Sequence, residues 1–329
     1  MEYTEFGKTQ LRVSRMCLGT WGIGGAGWDS YSDESRMDAI KAAVDCGINF
    51  IDTAPAYNGG RAEQYIGEVV HKLGVRKEVI LATKCGNEFI NGKYVRCGSA
   101  DKIMRECEES LRNLKTDYID VYLVHWPDPN VPMEDVAGVV KDLMQEGKVL
   151  HWGLSEASAR SIRRAHSVCP LSAVQSEYAI WWREPETKIF STLQELGIGF
   201  VPYCPLGRAF LTGIINENSR FQKGDRRYNL PQFQPVALKH NMPLVYLVEE
   251  WAKHKGVTPA QFALIWMLSR KSWIVPIPGT TNPDHLDDFL GAASVRLTPY
   301  EMEEFDDAYA RIDLMGHRAD PFTESQIDK

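Results

Sequence analysis

The feature that most constrains this chain is an alternation. A short apolar run, a loop, and then a stretch with apolar residues three or four apart recur along the whole sequence. The apolar runs predict strands at Arg15–Leu18, Asn49–Asp52, Val79–Lys84, Ile119–His125, Val149–Ser155, Ala173–Glu177, Gly199–Tyr203 and Trp273–Pro276. The intervening stretches predict helices over Asp33–Asp45, Ala62–Lys72, Ala100–Leu114, Glu134–Gln145, Ala157–His166, Glu186–Glu195, Met242–Lys255, Thr258–Ser269, Pro283–Gly291 and Thr298–Ala308. In the first helix Met37, Ile40 and Val44 share a face. Ser32 suits its N-cap, Asp33 and Glu34 suit the first turn, and Gly47 marks its end. Strands that each hand over to a helix pair in parallel, with right-handed crossovers. Eight such units in 329 residues favour a closed ring over an open sheet. The expected fold is an α/β protein: a (β/α)8 TIM barrel forming a single domain over 1–329, with an N-terminal hairpin, extra helices and a long loop after strand 7. That loop, Cys204 to His240, is rich in Arg, Gln, Asn and Pro. Long loops in compact domains are usually functional, a merely flexible insertion being the alternative.

The formal net charge is −7 and no basic block stands out, so neither nucleic acid nor an anionic membrane is an expected partner. No apolar run approaches the roughly 20 residues needed to cross a bilayer. Met1 to Gly7 is acidic and polar, unlike a signal peptide. Seven scattered cysteines, with no Cys-x-x-Cys pair, indicate neither a disulfide framework nor a zinc knuckle. The expected location is the reducing cytoplasm. The eight histidines show neither His-x-His nor His-Glu-x-x-His spacing, so no metal is expected.

Gly22, Gly24 and Gly27 spell Gly-x-Gly-x-x-Gly after a strand, with Asp52 closing the next. A dinucleotide fingerprint needs its third glycine inside a starting helix, whose N-terminus meets the pyrophosphate. Here Trp28-Asp29-Ser30-Tyr31 follows, and the helix is expected only near Asp33. We read this segment as a βα loop using glycines for turns.

In a barrel the active site lies at the C-terminal ends of the strands. Asp52, Lys84 and His125 end the second, third and fourth expected strands, and Tyr57 follows Asp52 in the same loop. Each has an ordinary alternative: Asp52 a turn cap, Lys84 a solvated lysine, His125 a core histidine, Tyr57 surface packing. Carbonyl reduction accounts for the set. It needs a hydride on carbon and a proton on oxygen. A phenol with a pKa of about 10 is a poor acid near neutrality unless a cation stabilises its phenolate. Lys84 supplies that cation, Asp52 holds Lys84, and His125 orients the carbonyl oxygen. The hydride must come from a cofactor.

These segments resemble the aldo-keto reductase family over nearly the whole chain. Gly19-Thr20-Trp21-Gly22 is similar to its first loop. Asn49 through Tyr57, then Glu63 and Gly67, resembles its long signature. Ser110-Leu111 through Leu114, then Asp117-Tyr118-Ile119-Asp120, resembles its second, which leads into His125. The resemblance implies Asp52, Tyr57, Lys84 and His125 as the catalytic tetrad. It places Ser155 and Gln175 at the nicotinamide carboxamide, Tyr203 against the ring, and Leu206 and Arg208 near the pyrophosphate. It adds Gly19, Thr20, Trp21, Asp52, Pro205, Gly207, Gly279, Thr280, Thr281, His285 and Asp288 to the cofactor set. Ser155 and Gln175 have strand-end capping as their alternative. Family members often carry Asn after that serine, where this chain has Glu156.

The cofactor implied is NADP, with NAD left open. Many relatives place Arg or Lys near Pro278–Asn282, beside the 2′-phosphate, whereas no Lys or Arg occurs here between Lys271 and Arg296. Arg220, Lys223, Arg226 and Arg227 in the long loop offer substitutes, or form a solvated basic loop. Trp21, Trp126, Trp181, Trp182 and Phe210 suit the wall of a pocket for a small carbonyl substrate, or loop packing. The function implied is NADPH-dependent, reversible reduction of an aldehyde or ketone. The alternative is a nicotinamide-binding regulatory or scaffold subunit, as with potassium-channel β subunits. The sequence carries no sign of oligomeric state.

Overall fold

The computed structural model describes residues 1–25, 31–90 and 93–328. In chain order its elements are β1 (Tyr3–Glu5), β2 (Arg12–Ser14), β3 (Cys17–Gly19), α1 (Asp33–Asp45), β4 (Phe50–Asp52), α2 (Arg61–Leu73), β5 (Ile80–Cys85), β6 (Asn87–Ile90), β7 (Lys93–Arg96), α3 (Ala100–Asn113), β8 (Ile119–Val124) and α4 (Met133–Gln145). There follow β9 (Val149–Ser155), α5 (Ala159–Val168), β10 (Ala173–Glu177), α6 (Glu184–Lys188), α7 (Phe190–Leu196), β11 (Gly199–Tyr203), α8 (Pro235–Lys255), α9 (Pro259–Arg270), α10 (Leu286–Ala293), α11 (Pro299–Tyr309) and α12 (Pro321–Ser325). Among the described residues no helix is long and apolar enough to cross a membrane.

Seven parallel strands run in the order β3-β4-β5-β8-β9-β10-β11. The segment 273–279 closes the ring between β11 and β3. Val275 N donates to Phe200 O (2.9 Å) and Ile277 N to Pro202 O (3.0 Å); on the other side Cys17 N donates to Pro276 O and Gly19 N to Pro278 O, both 2.9 Å. The expected eighth strand is thus present as a bridging segment rather than a regular strand. Its physical reason is Pro276 and Pro278, which offer β3 a carbonyl but no N–H, so half of that ladder has no donor. The expected (β/α)8 barrel is otherwise as observed. The hairpin β1–β2 carries Phe6, buried under the barrel with its ring 5.5 Å from that of Phe50.

Side chains alternate along each strand, and this parity builds the site. Outward residues such as Leu18, Ile51, Leu81, Tyr122, Val174 and Phe200 pack in the large core shared with the helices. Inward residues form a second core: Cys17, Phe50, Ile80, Ala82, Val121, Leu123, Ala173, Val201, Val275 and Ile277. Two residues further up, the same parity yields Asp52, Lys84, His125, Ser155, Gln175 and Tyr203. The polar groups therefore form the top layer of a barrel packed with apolar side chains below.

Several boundaries differ from expectation. The stretch expected as one helix over Glu186–Glu195 is two, because Ile189 leaves helical geometry between α6 and α7 (φ −128°). The long loop contains short 3-10 turns at Phe210–Thr212, Arg226–Asn229 and Pro231–Phe233, and α8 starts earlier, with Pro235 in its first turn. The hairpin β6–β7 and helix α12 were not expected.

Candidate active site

The loop after β3 is fixed from two sides. Thr20 Oγ1 and Thr20 N donate to Asp52 O, at 2.8 and 3.1 Å. Arg36, from α1, donates to the carbonyls of Gly22 and Ile23 at 3.0 and 2.8 Å. The turn places Trp21 against Ala54, Tyr57 and Ala62. The helix α1 begins at Asp33 with Ser32 as its cap, as expected; Gly27 of the apparent fingerprint lies outside the described residues.

The four residues singled out from strand ends come together at one point. Lys84 Nζ donates to Asp52 Oδ1 at 2.6 Å, to Thr53 O at 2.8 Å and to the Tyr57 hydroxyl oxygen at 3.0 Å. Three acceptors around one nitrogen match the three protons of an ammonium. Lys84 is fully buried and Asp52 nearly so. Burial draws the Lys84 ammonium below its ordinary pKa, opposed chiefly by the charge of Asp52. Gln175 Nε2 donates to the other oxygen of Asp52 at 2.9 Å, so both carboxylate oxygens are held. The His125 ring stands edge-on to that of Tyr57, centroids 6.0 Å apart. Desolvation, then the charges of Lys84 and Arg226, push the His125 pKa well below its usual range, leaving a neutral imidazole at pH 7. Behind Lys84 lies buried Glu63, which accepts from Thr83 Oγ1 (2.6 Å) and Asn113 Nδ2 (2.9 Å); burial raises its pKa.

Beside this cluster, Ser155 and Gln175 are neighbours in register on β9 and β10, and Tyr203 stands opposite Glu177 on β11. Ser155 is buried. After Tyr203 the chain turns sharply: Cys204, Gly207, Arg208 and Ala209 all have positive φ. Gly207 N closes the turn on Cys204 O at 2.9 Å, with Pro205 and Leu206 inside it. The Arg208 guanidinium is engaged by both oxygens of Glu177, at 2.5 and 2.8 Å. Gly279 pairs with Gly19 across the barrel seam, where an added Cβ would lie 3.0 Å from Gly19 O. Thr280 Oγ1 bonds Asn282 O and His285 Nδ1, at 2.9 and 3.0 Å, and Thr281 lies within this turn. Asp288 accepts from Thr258 Oγ1 at 2.8 Å and so is turned toward α9.

Among the long-loop cations, Arg227 is paired with Asp225, whereas Arg226 stands over the Trp21 ring, 5.8 Å from its centroid. Of the aromatic residues singled out, Trp21 packs beside Tyr57, and Trp181 and Trp182 pack on each other after β10.

The Aldo/keto reductase family model matches residues 15–310. The chain belongs to the aldo/keto reductase family. This aldo/keto reductase is 38% identical over 318 residues to "Probable aldo-keto reductase 1" of Glycine max, covering 95% of this chain and 90% of the other. It is 36% identical to aldo-keto reductase YhdN of Bacillus subtilis over 87% of each. Among solved structures it superposes on the glycerol dehydrogenase AKR11B4 from Gluconobacter oxydans with a TM-score of 0.88, 30% identity, and coverage of 97% and 98%. Membership makes this reductase an oxidoreductase acting in carbonyl chemistry, in a family that generally uses nicotinamide cofactors. One participant near the site escaped the sequence reading: Arg318, from the C-terminal segment, which meets Glu156 beside Ser155.

Proposed function

We propose that this aldo/keto reductase reduces an aldehyde or ketone to the alcohol, reversibly, with NADPH as the hydride source and Tyr57 as the general acid. The observation that carries the reading is the buried contact of Lys84 Nζ with the Tyr57 oxygen at 3.0 Å. A cation at that distance favours the phenolate, so Tyr57 releases its proton more readily than a free phenol. Asp52 keeps Lys84 charged and aimed, and Gln175 keeps Asp52 from turning away. A neutral His125 donates a hydrogen bond to the carbonyl oxygen and holds it near Tyr57 without competing as the acid.

The residues present fit a nicotinamide. Gln175 commits its amide N–H to Asp52, which leaves its carbonyl oxygen to accept from a carboxamide. The Ser155 hydroxyl supplies the complementary donor. Tyr203 offers a ring face, neutral because desolvation raises its phenol pKa. The turn Pro205–Arg208 and the segment Gly279–Thr281 would hold the phosphates, with Gly19, Thr20 and Trp21 bordering them; because Glu177 occupies the Arg208 guanidinium, the backbone is what that turn offers. His285 and Asp288 complete the adenosine end, where Asp288 acts through the start of α9. When bound, the reduced nicotinamide supplies the hydride that no side chain can. The reading includes a single domain over 1–329, a cytoplasmic location and a small-molecule carbonyl substrate, with no nucleic-acid or membrane partner.

The test is a screen of aldehydes and ketones with NADPH and NADH in parallel, run on wild type and Tyr57→Phe. Turnover of some carbonyl compound by wild type, reduced at least about 100-fold in the variant, is expected. Wild type that binds NADPH yet reduces none of a broad panel would overturn the reading.

A further inference from the structure

Glu156 directly follows Ser155 and occupies a backbone conformation that residues other than glycine rarely adopt, with φ +53°. Such a position persists only where its surroundings over-determine it, and here they do. Glu156 N donates to Gln175 O at 2.8 Å, and Glu156 Oε1 accepts from Glu177 N at 2.8 Å. The same carboxylate is gripped in a two-pronged pair by Arg318, at 2.9 and 2.7 Å, both side chains being almost wholly buried. One residue thus ties Ser155 to Gln175 through the main chain, and an arginine 162 positions away neutralises it.

The segment that brings Arg318 there is itself fastened along the rim of the barrel. Asn241 exchanges two hydrogen bonds with the backbone of Met315, both 2.8 Å. His317 packs edge-on to Trp182, and the Arg318 guanidinium lies 5.1 Å from the same ring. Further on, Asp328 accepts from Ser158 N and Oγ, at 2.8 and 2.9 Å.

We propose that Arg318 is a positioning residue for the nicotinamide end of the cofactor site. By clamping Glu156 it fixes the relative placement of Ser155 and Gln175, so the C-terminal segment sets affinity for the nicotinamide half. Without Arg318, the Glu156 carboxylate would be buried uncompensated near that of Glu177, and the local backbone would rearrange to expose it. This rests on the reading of Ser155 and Gln175 as the carboxamide partners.

Calorimetric titration of two ligands separates the possibilities: NADPH, and 2′-phospho-ADP-ribose, which lacks the nicotinamide. Arg318→Met should weaken NADPH by about tenfold or more, since only part of the cost of the unpaired charge reaches Ser155 and Gln175. It should leave the fragment within about twofold of wild type, which also reports an intact fold. Arg318→Lys, which keeps the charge and loses the fork, should fall between and carries the test if the methionine variant does not fold. Unchanged NADPH affinity, or equal weakening of both ligands, would overturn the proposal. Gln175→Ala is the control for the underlying reading. If it leaves NADPH binding unaltered, the carboxamide assignment falls and the proposal with it. If it weakens NADPH while Arg318→Met does not, the role of Arg318 alone is refuted.

Discussion

Lys84 Nζ lies 3.0 Å from the phenol oxygen of Tyr57, with no exposure of the lysine to solvent. Electrostatics across that distance are screened far less than on the surface, so the two titrations are linked. Lys84→Met removes the charge while keeping much of the side-chain volume. The phenolate loses its stabilising cation and the Tyr57 pKa rises. Reduction should fall severely, and the basic limb of the pH profile for alcohol oxidation should move upward. A limb that stays in place in a variant with measurable activity would show that Lys84 does not tune Tyr57.

Tyr57→Phe deletes only the hydroxyl. The Lys84 contacts with Asp52 and Thr53 O remain, so the pocket keeps its shape. Turnover should drop by at least about 100-fold, the usual scale for a lost general acid. NADPH affinity, measured by fluorescence titration, should barely change. Near-normal reduction of a good substrate would remove Tyr57 from the proton-transfer step.

The depressed pKa of His125 has a consequence for stability. In the folded chain the imidazole resists protonation, while in the unfolded chain it takes a proton near its ordinary value of 6.5. Below that pH the unfolded state binds more protons, so this contribution is full above pH 6.5 and is lost as pH falls toward the folded value. His125→Gln, which cannot titrate, should flatten the decline of unfolding free energy between pH 6.5 and lower values. Urea unfolding of both proteins across that range checks it; parallel curves would mean that His125 titrates alike in both states.

The inward cluster was legible in the sequence because it depends only on strand parity and strand ends, both set by short local patterns. Asp52 and Lys84 lie within their strands, His125 immediately follows its own, and the bounds of α1 agree to the residue. What escaped depends on other information. The hairpin β6–β7 has a local signal, the Asn91-Gly92 dipeptide in the sequence, but it interrupts the strand-helix rhythm that guided the reading. The eighth strand reads as an apolar run, and only its prolines tell that one edge lacks donors. The Glu156–Arg318 pair has no local signal, since its partners are 162 residues apart; its trace was a glutamate where relatives often carry asparagine. Arg208 shows the same limit: the family resemblance implies a place near the pyrophosphate, and only the fold reveals Glu177 already holding its guanidinium.

Gly153 sits one layer below Ser155, in register with Leu123 on one side and Ala173 on the other. A Cβ there would overlap the Ala173 carbonyl oxygen and stand 2.7 Å from Leu123 Cδ2. The Leu123 side chain can shift, but the Ala173 carbonyl is backbone and cannot yield without parting the barrel wall. Gly153→Ala should cost about 3 kcal/mol, the upper part of the range for overpacking a core. A urea midpoint unchanged from wild type would show that the wall absorbs a methyl group there.

On the proposed reading, cofactor choice rests on the segment after the barrel seam. A 2′-phosphate carries nearly two negative charges, and charge-assisted bonds to arginine are a strong way to hold it. Between Lys271 and Arg296 the sequence has no Lys or Arg. Arg296 itself is occupied by Ala293 O, Val295 O and Glu2. What remains is the hydroxyl and amide turn built on Thr280, with His285 against it. Asp288 is drawn aside by Thr258, which reduces its repulsion of a phosphate without supplying attraction. The family resemblance implies NADPH; with no cation in this segment, we expect it to bind more tightly than NADH by only a modest margin. Thr281→Arg adds the missing cation at a partly exposed position and leaves the Thr280 turn and the Asn282 cap intact. It should tighten NADPH by about 1–2 kcal/mol, roughly tenfold, with little change for NADH. Fluorescence titration of both cofactors into both proteins decides the matter. Equal or tighter binding of NADH by wild type would overturn the NADPH preference and leave the roles of Tyr57 and Lys84 untouched.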